Sequence, residues 1–189
     1  MPVAEISARE RILSTADDLF YREGIRVSGV DTIIEKSGIA KTTFYRHFPS
    51  KDALIVAYLQ EREKKYWERV EEVLANSEHT AAEQIVDLFK SLKEFLSSPK
   101  NRGCPFINCT TEFPDPTHPG HQIALSHKRR LLSMLGELTR RANAKNPDKL
   151  ARQLVLLYDG ALINGMQLRD EAPLDEAIAA ASTLVESSV

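Results

Sequence analysis

Apolar side chains recur every three to four residues along most of the chain, and runs of strict alternation are scarce, so the pattern predicts helices throughout and an all-α fold. Ser7 with Glu10 three residues on forms a capping-box signature ahead of Ile12, Leu13, Ala16, Leu19 and Phe20. Gly24 marks the end of that first helix. A second, short helix is expected from Ser28, with Asp31 at the matching position, through Ile33 and Ile34 to Gly38. A third begins after Ala40 and is cut by Pro49, and a fourth begins at Ser50 and runs to about Asn76. Further helices are expected over "TAAEQIVDLFKSLKEFLSS", closed by Pro99, and over 105–112. The three prolines and glycine of "FPDPTHPG" read as a loop. Helices over 121–144, from Pro147 and after Pro173 complete the chain.

The second and third helices are joined only by "SGIA", and the first can pack across both, which is the helix-turn-helix pattern. Phe44 and Phe48 lie four apart and share the face that must point inward, and Ile39 can staple to Phe44 across the helix start. At 100° per residue, Thr42 and Arg46 then point outward, flanked by Thr43 and Tyr45. Two hydroxyls, a phenol and a guanidinium can hydrogen-bond to base edges and phosphate oxygens.

Charge sharpens this picture. The 189-residue chain has a formal net charge of −2, yet between Lys36 and Lys51 it holds four cations and no acid. Residues 1–51 carry a net +1 and residues 52–189 a net −3. Lys41 and Lys51 each open a helix, where the macrodipole disfavours a cation, a placement that makes sense if phosphate supplies the anion.

The stretch "GVDTIIEKSGIAKTTFYRHFPSKDALIVAYL" closely resembles the DNA-binding region of the tetracycline-repressor (TetR) family of bacterial transcriptional regulators, a likeness covering about residues 8–60. The segment "GCPFINCTTEFPDPTHP" looks like a loop and helix of one branch of that family. The resemblance implies an N-terminal three-helix head, residues 1–51, fused through a long fourth helix to an effector-binding and dimerisation domain, residues 52–189. It also implies a homodimer reading a palindromic operator in double-stranded DNA, and a repressor released by a small-molecule effector. By position, Lys41, Thr42 and Thr43 match the base-facing end of the reading helix. Tyr45, His47 and Lys51 match phosphate-contacting positions, and Arg46 lies where either role occurs. Ala40 stands where the family often has a capping serine, so this helix start lacks a side-chain acceptor.

In the larger domain, Phe89, Leu92, Phe95, Phe106, Asn108, Phe113, Tyr158 and Met166 are candidate lining for an effector pocket. Few cations stand among them, so a strongly anionic effector is not favoured. Leu150, Leu154, Leu157, Ala161 and Gly165, with Ala177, Ala181 and Leu184 of the last helix, form stripes suited to a four-helix interface across a two-fold axis. The alternative for these stripes is packing against the chain's own core.

Other chemistry is poorly served. Cys104, Cys109, His118 and His121 have the spacing C-x4-C-x8-H-x2-H, which is not a standard zinc pattern. On one short helix the two cysteines would sit beyond disulfide reach. A metal- or redox-sensing regulator using Cys104 and Cys109 remains the alternative reading, and a cysteine-dependent enzyme lacks any nucleophile motif. The expectation is therefore a non-enzyme with no cofactor. With 42% hydrophobic and 28% charged residues, no signal-like N-terminus and no long apolar run, it is expected in the cytoplasm without membrane association.

Overall fold

The computed structural model describes residues 6–75, 78–96 and 102–189. These form helices α1 (Ala8–Arg22), α2 (Val30–Ser37), α3 (Lys41–His47), α4 (Lys51–Leu74), α5 (Ala81–Leu96), α6 (Pro105–Glu112), α7 (Pro119–Arg141), α8 (Pro147–Leu168) and α9 (Ala172–Ser188). Among the described residues there is no strand, as the pattern predicts. The expected ends of α4 near Asn76 and of α5 at Pro99 lie outside the described residues.

Local chemistry explains most boundaries. Ser7 and Glu10 close the capping box of α1 reciprocally, and Thr80 with Glu83 does the same for α5. α2 ends on Gly38 at φ +63°, the left-handed conformation that glycine adopts at least cost. Its start differs from expectation. Ser28 does not cap it, because the Ser28 hydroxyl donates to the Gly24 carbonyl at 2.6 Å, and Gly29 becomes the N-cap. α7 starts two residues earlier than predicted, since Pro119 suits a first helical turn and the His118 Nδ1 accepts from the Gly120 N–H at 3.1 Å. It stops at Arg141 rather than at 144, where Asn143 takes a left-handed φ of 58°.

Contacts divide the chain into two units along lines other than the expected boundary at residue 51. The first comprises residues 1–63 and 105–125, the second 64–104 and 126–189. In the first, α1 packs on α2 and α3, and Ile12, Ala16, Phe20, Ile33, Phe44 and Phe48 are buried together with Leu54, Ile55 and Tyr58 of α4. Phe20 meets Tyr58 edge to face with centroids 5.5 Å apart. Because α4 finishes this core, a cut at residue 51 would strand its apolar face in water.

The second unit is a helical bundle in which α5, α8 and α9 pack on one another. Its core collects Trp67 and Val70 of α4, Ile85, Leu88, Phe89 and Leu92 of α5, and Leu131, Leu135 and Leu138 of α7. Leu150, Leu154, Tyr158 and Ala161 of α8 complete it with Leu174, Ala177, Ala181 and Val185 of α9. No helix among the described residues is long and apolar enough to cross a membrane.

Candidate nucleic-acid interface

The reading helix is held from below. Phe44 is 0% exposed and Phe48 3%, and their rings lie 6.2 Å apart. Arg9 of α1 stacks over the Phe48 ring at 5.4 Å. Burying one such aromatic contributes roughly 1.5–3 kcal/mol, enough to fix a seven-residue helix that could not persist alone. Arg11 of α1 fastens the preceding turn, its Nη2 donating to the Ser37 carbonyl at 2.7 Å.

With Phe44 and Phe48 fixed inward, Lys41, Thr42, Tyr45 and Arg46 are exposed and Thr43 and His47 are half-buried. Tyr45 lies edge-on to Phe44 at 5.3 Å. Arg46 has no ion-pair partner among the described residues. Ala40 leaves the start of α3 without a side-chain cap.

The two lysines stand otherwise than the sequence suggests. Lys41 Nζ lies 3.1 Å from Asp31 Oδ1 of α2, which raises its pKa, chiefly through that hydrogen bond. Both partners are largely exposed, so the pair exchanges readily with solvent and ions. Lys51 turns back on the protein, its Nζ donating to the Arg26 carbonyl at 3.2 Å and lying 6.0 Å from the Phe20 ring. Burial lowers its pKa, opposed by Glu112 and Asp52. The start of α4 is capped from within, with Ser50 Oγ accepting from the Ala53 N–H at 3.1 Å.

Glu112, at the end of α6, has a role no local pattern announces. Its Oε1 accepts from the Ile25 N–H at 3.0 Å and its Oε2 from the Arg26 N–H at 2.7 Å. Both amides follow Gly24, whose φ of +109° aims them at one carboxylate. Arg26 lies over the Phe113 ring at 5.5 Å, and Phe113 stacks on His118 with centroids 4.1 Å apart. The turn between α1 and α2 is thus clasped by a segment more than 80 residues away in sequence.

The residues expected around an effector fall into two groups. Phe89, Leu92, Phe95, Tyr158 and Met166 belong to the second unit, where Phe89 meets Tyr158 edge to face at 5.5 Å. Phe106, Asn108 and Phe113 belong to the first. A shallow cavity of about 270 Å³ on the second unit is lined by other residues, among them Arg129, Leu132, Gly136, Arg140 and Arg152.

Most of the stripe expected to meet a second copy faces the chain's own core. Leu150, Leu154, Ala161, Gly165, Ala177 and Ala181 are buried by the packing of α5, α8 and α9, and Leu157 and Leu184 are half-buried. The outward face of α8 is instead Arg152, Leu156, Gly160 and Ile163. Leu156 is 72% exposed and Ile163 37%, and a Cβ at Gly160 would meet nothing within 4 Å. The two stripes lie roughly 145° apart at 100° per residue, but the continuous apolar run 154–157 populates both faces, so spacing alone does not choose between them.

Cys104 and Cys109 are not joined by a disulfide and lie in different units. Burial, helped by Glu112, pushes the Cys109 thiol up to about 11, away from a reactive thiolate. Among the described residues no group of three or more His, Cys, Asp or Glu side chains is placed to hold a metal ion.

The family model for bacterial regulatory proteins of the tetR family matches residues 12–58, which span α1 to the first half of α4. The chain is 32% identical to SCO4454, a TetR-family transcriptional regulator from Streptomyces coelicolor, with 96% of this chain and 95% of that one covered and a TM-score of 0.91. It is 26% identical to the HTH-type transcriptional regulator YjdC of Escherichia coli over 89% of this chain and 88% of that protein. It is also 23% identical to the HTH-type transcriptional repressor NemR of Escherichia coli, over 96% and 95%. A short helix seated on two phenylalanines, the turn before it and the full-length likeness to SCO4454 agree: this chain belongs to the TetR family of helix-turn-helix transcriptional regulators.

Proposed function

We propose that the protein is a homodimeric repressor that reads a palindromic operator through α3 and is released by a small-molecule effector bound in its second unit. The observation that carries the reading is the outward face of α3, where Thr42, Tyr45 and Arg46 stand exposed while Phe44 and Phe48 hold the opposite side. Thr42, Thr43 and Arg46 contact base edges in the major groove, and Tyr45 and His47 contact phosphates. Lys41 joins them by exchanging Asp31 for a phosphate oxygen. Lys51 contributes through its fixed position near the Arg26 carbonyl rather than as a free cation. The likeness to NemR, a repressor by name, supports the direction of control.

The two-fold contact uses the exposed stripe of α8, with Leu156 and Ile163 as anchors and Gly160 allowing close approach of a second copy. Charge fits this arrangement: α9 carries Asp175, Glu176 and Glu186 and no cation, whereas Arg129 and Arg152 line the neighbouring cavity. Such a dimer would present two α3 helices to half-sites about 34 Å apart. α4 is one continuous helix with residues in both units, so an effector that favours one arrangement of the second unit can act on the head through it.

The test is a band-shift series on DNA from upstream of the gene, with random DNA as control. Arg46→Ala should lose about tenfold or more on the specific fragment, the size of one lost bidentate base contact, and only a few-fold on random DNA. Equal losses on both fragments would assign Arg46 to phosphate alone. Equal wild-type affinity for both would sink the operator reading.

A further inference from the structure

Half-buried on α4 in the second unit, Arg69 has one guanidinium nitrogen that is buried and, among the described residues, without an acceptor. It lies three residues after Tyr66, with its guanidinium over the Phe95 ring at 4.5 Å and the Tyr66 ring at 5.4 Å. The buried nitrogen is Nε. A guanidinium cannot escape by giving up its proton, so this donor stays charged and unmet. Asp159, the carboxylate that acts on Tyr158, is paired with Lys128. Two phenols complete the cluster. Tyr66 and Tyr158 share a hydrogen bond that uses one phenol proton, and burial raises the pKa of each, so the other O–H stays protonated as a donor. Trp67 lies edge-on to Tyr66 at 5.1 Å and Phe89 edge-on to Tyr158 at 5.5 Å.

The cluster therefore offers donors set among flat apolar rings. With aromatic rings against its faces, the guanidinium is open to bonding in its own plane, where a carboxylate can be met by two parallel N–H groups. We propose that Arg69, with Tyr66 and Tyr158, is the anchoring subsite for the carboxylate of a small planar aromatic or conjugated acid, whose apolar body rests among the surrounding rings. This names the class of effector for the repressor reading above, and rests on that reading only for its consequence at DNA. An effector of this class is anionic, unlike the expectation drawn from the eight candidate lining residues, which do not include Arg69.

Trp67 is the chain's single tryptophan and gives a built-in reporter. Full-length protein is titrated with benzoate, cinnamate and 1-naphthoate, and with the corresponding primary amides, following Trp67 emission and heat. At least one acid should saturate, with its amide about tenfold weaker or worse. Arg69→Met should abolish that preference, and Tyr158→Phe should weaken the acid by a few-fold. If circular dichroism shows Arg69→Met unfolded, Arg69→Lys replaces it and should still lose about fivefold, because an ammonium lacks the planar fork. Absence of saturable binding by any of the acids, or equal acid affinity after the Arg69 change, overturns the subsite. The same acids are added to the band-shift assay. Arg69-dependent binding that leaves DNA affinity unchanged supports the subsite and refutes effector control through it. Release of DNA by a different molecule, with none of the acids binding, has the opposite meaning.

Discussion

Removing the Glu112 carboxylate tests whether α6 fixes the turn between α1 and α2. Glu112→Ala frees two amide donors, those of Ile25 and Arg26, now bonded at 3.0 and 2.7 Å. Hydrogen bonds to a charged acceptor are worth about 1.5–3 kcal/mol when buried. Here Ile25 is buried but Arg26 is exposed, so water can replace part of the second bond. Together the two bonds contribute about 2 kcal/mol. Each 1.4 kcal/mol is a factor of ten, so native-state exchange of these two amide hydrogens should speed up roughly 30-fold. Glu112→Gln should fall between, because its single carbonyl can serve one amide while its NH₂ opposes the other. Hydrogen exchange followed residue by residue by NMR separates this local loosening from global unfolding, since amides inside α8 should not change. If the Ile25 and Arg26 amides exchange equally fast in the wild type and Glu112→Ala, the clasp contributes nothing and the account of the first unit is wrong.

Phe44→Ala should destabilise the first unit by about 3–5 kcal/mol, the usual loss for a fully buried phenylalanine, and cost DNA binding along with it; urea denaturation read by far-UV circular dichroism measures the first. His127 is 3% exposed, and burial first, then Lys128 and Arg130, push its pKa down to about 3. The unfolded chain takes up a proton near pH 6.5 that the folded chain refuses until about pH 3, so this contribution is complete above pH 6.5 and is lost as pH falls through that window. His127→Gln should therefore flatten the fall in stability between pH 6.5 and 4, and an unchanged slope would assign the acid sensitivity elsewhere. Leu156→Asp should convert a dimer to monomer in sedimentation velocity without loss of helix content, because Leu156 is 72% exposed within the chain; a variant that stays dimeric rules out the α8 stripe.

Much of the head was legible because its rules are local. Capping-box spacing at Ser7, the left-handed glycine at 38 and the four-residue interval between Phe44 and Phe48 each act within one or two helical turns. Ser28 misled because its hydroxyl had a second acceptor within reach, the Gly24 carbonyl, and a serine before a helix serves either. The clasp of Glu112 on residues 25 and 26 was illegible, since nothing near either end announces a partner more than 80 residues away. On α8 the stripe named from the sequence is turned mostly inward, the second of the two alternatives that the sequence leaves open. Leucines at 154, 156 and 157 leave the stripe ambiguous until α5 and α9 choose which side they cover.

Arg46 and Arg69 show why an unmatched cation carries different weight by location. Arg46 is exposed, and water solvates it at no cost, so its lack of an internal partner says little by itself. Its meaning comes from context, namely a face cleared of carboxylates opposite two buried phenylalanines. Lys41, on the same helix, already holds Asp31, yet that pair is open to solvent and a phosphate competes with the carboxylate on nearly equal terms. Arg69 is the reverse case. Its Nε is buried and meets no acceptor among the described residues, and its neighbours there are phenols and rings. A folded chain tolerates such a group only if the surrounding packing offsets it or something from outside completes it. The two explanations separate cleanly, because packing alone predicts that Arg69→Met is as stable as the wild type or more so and indifferent to acids. Only a missing partner predicts that the wild type gains stability when an acid is added and the variant does not.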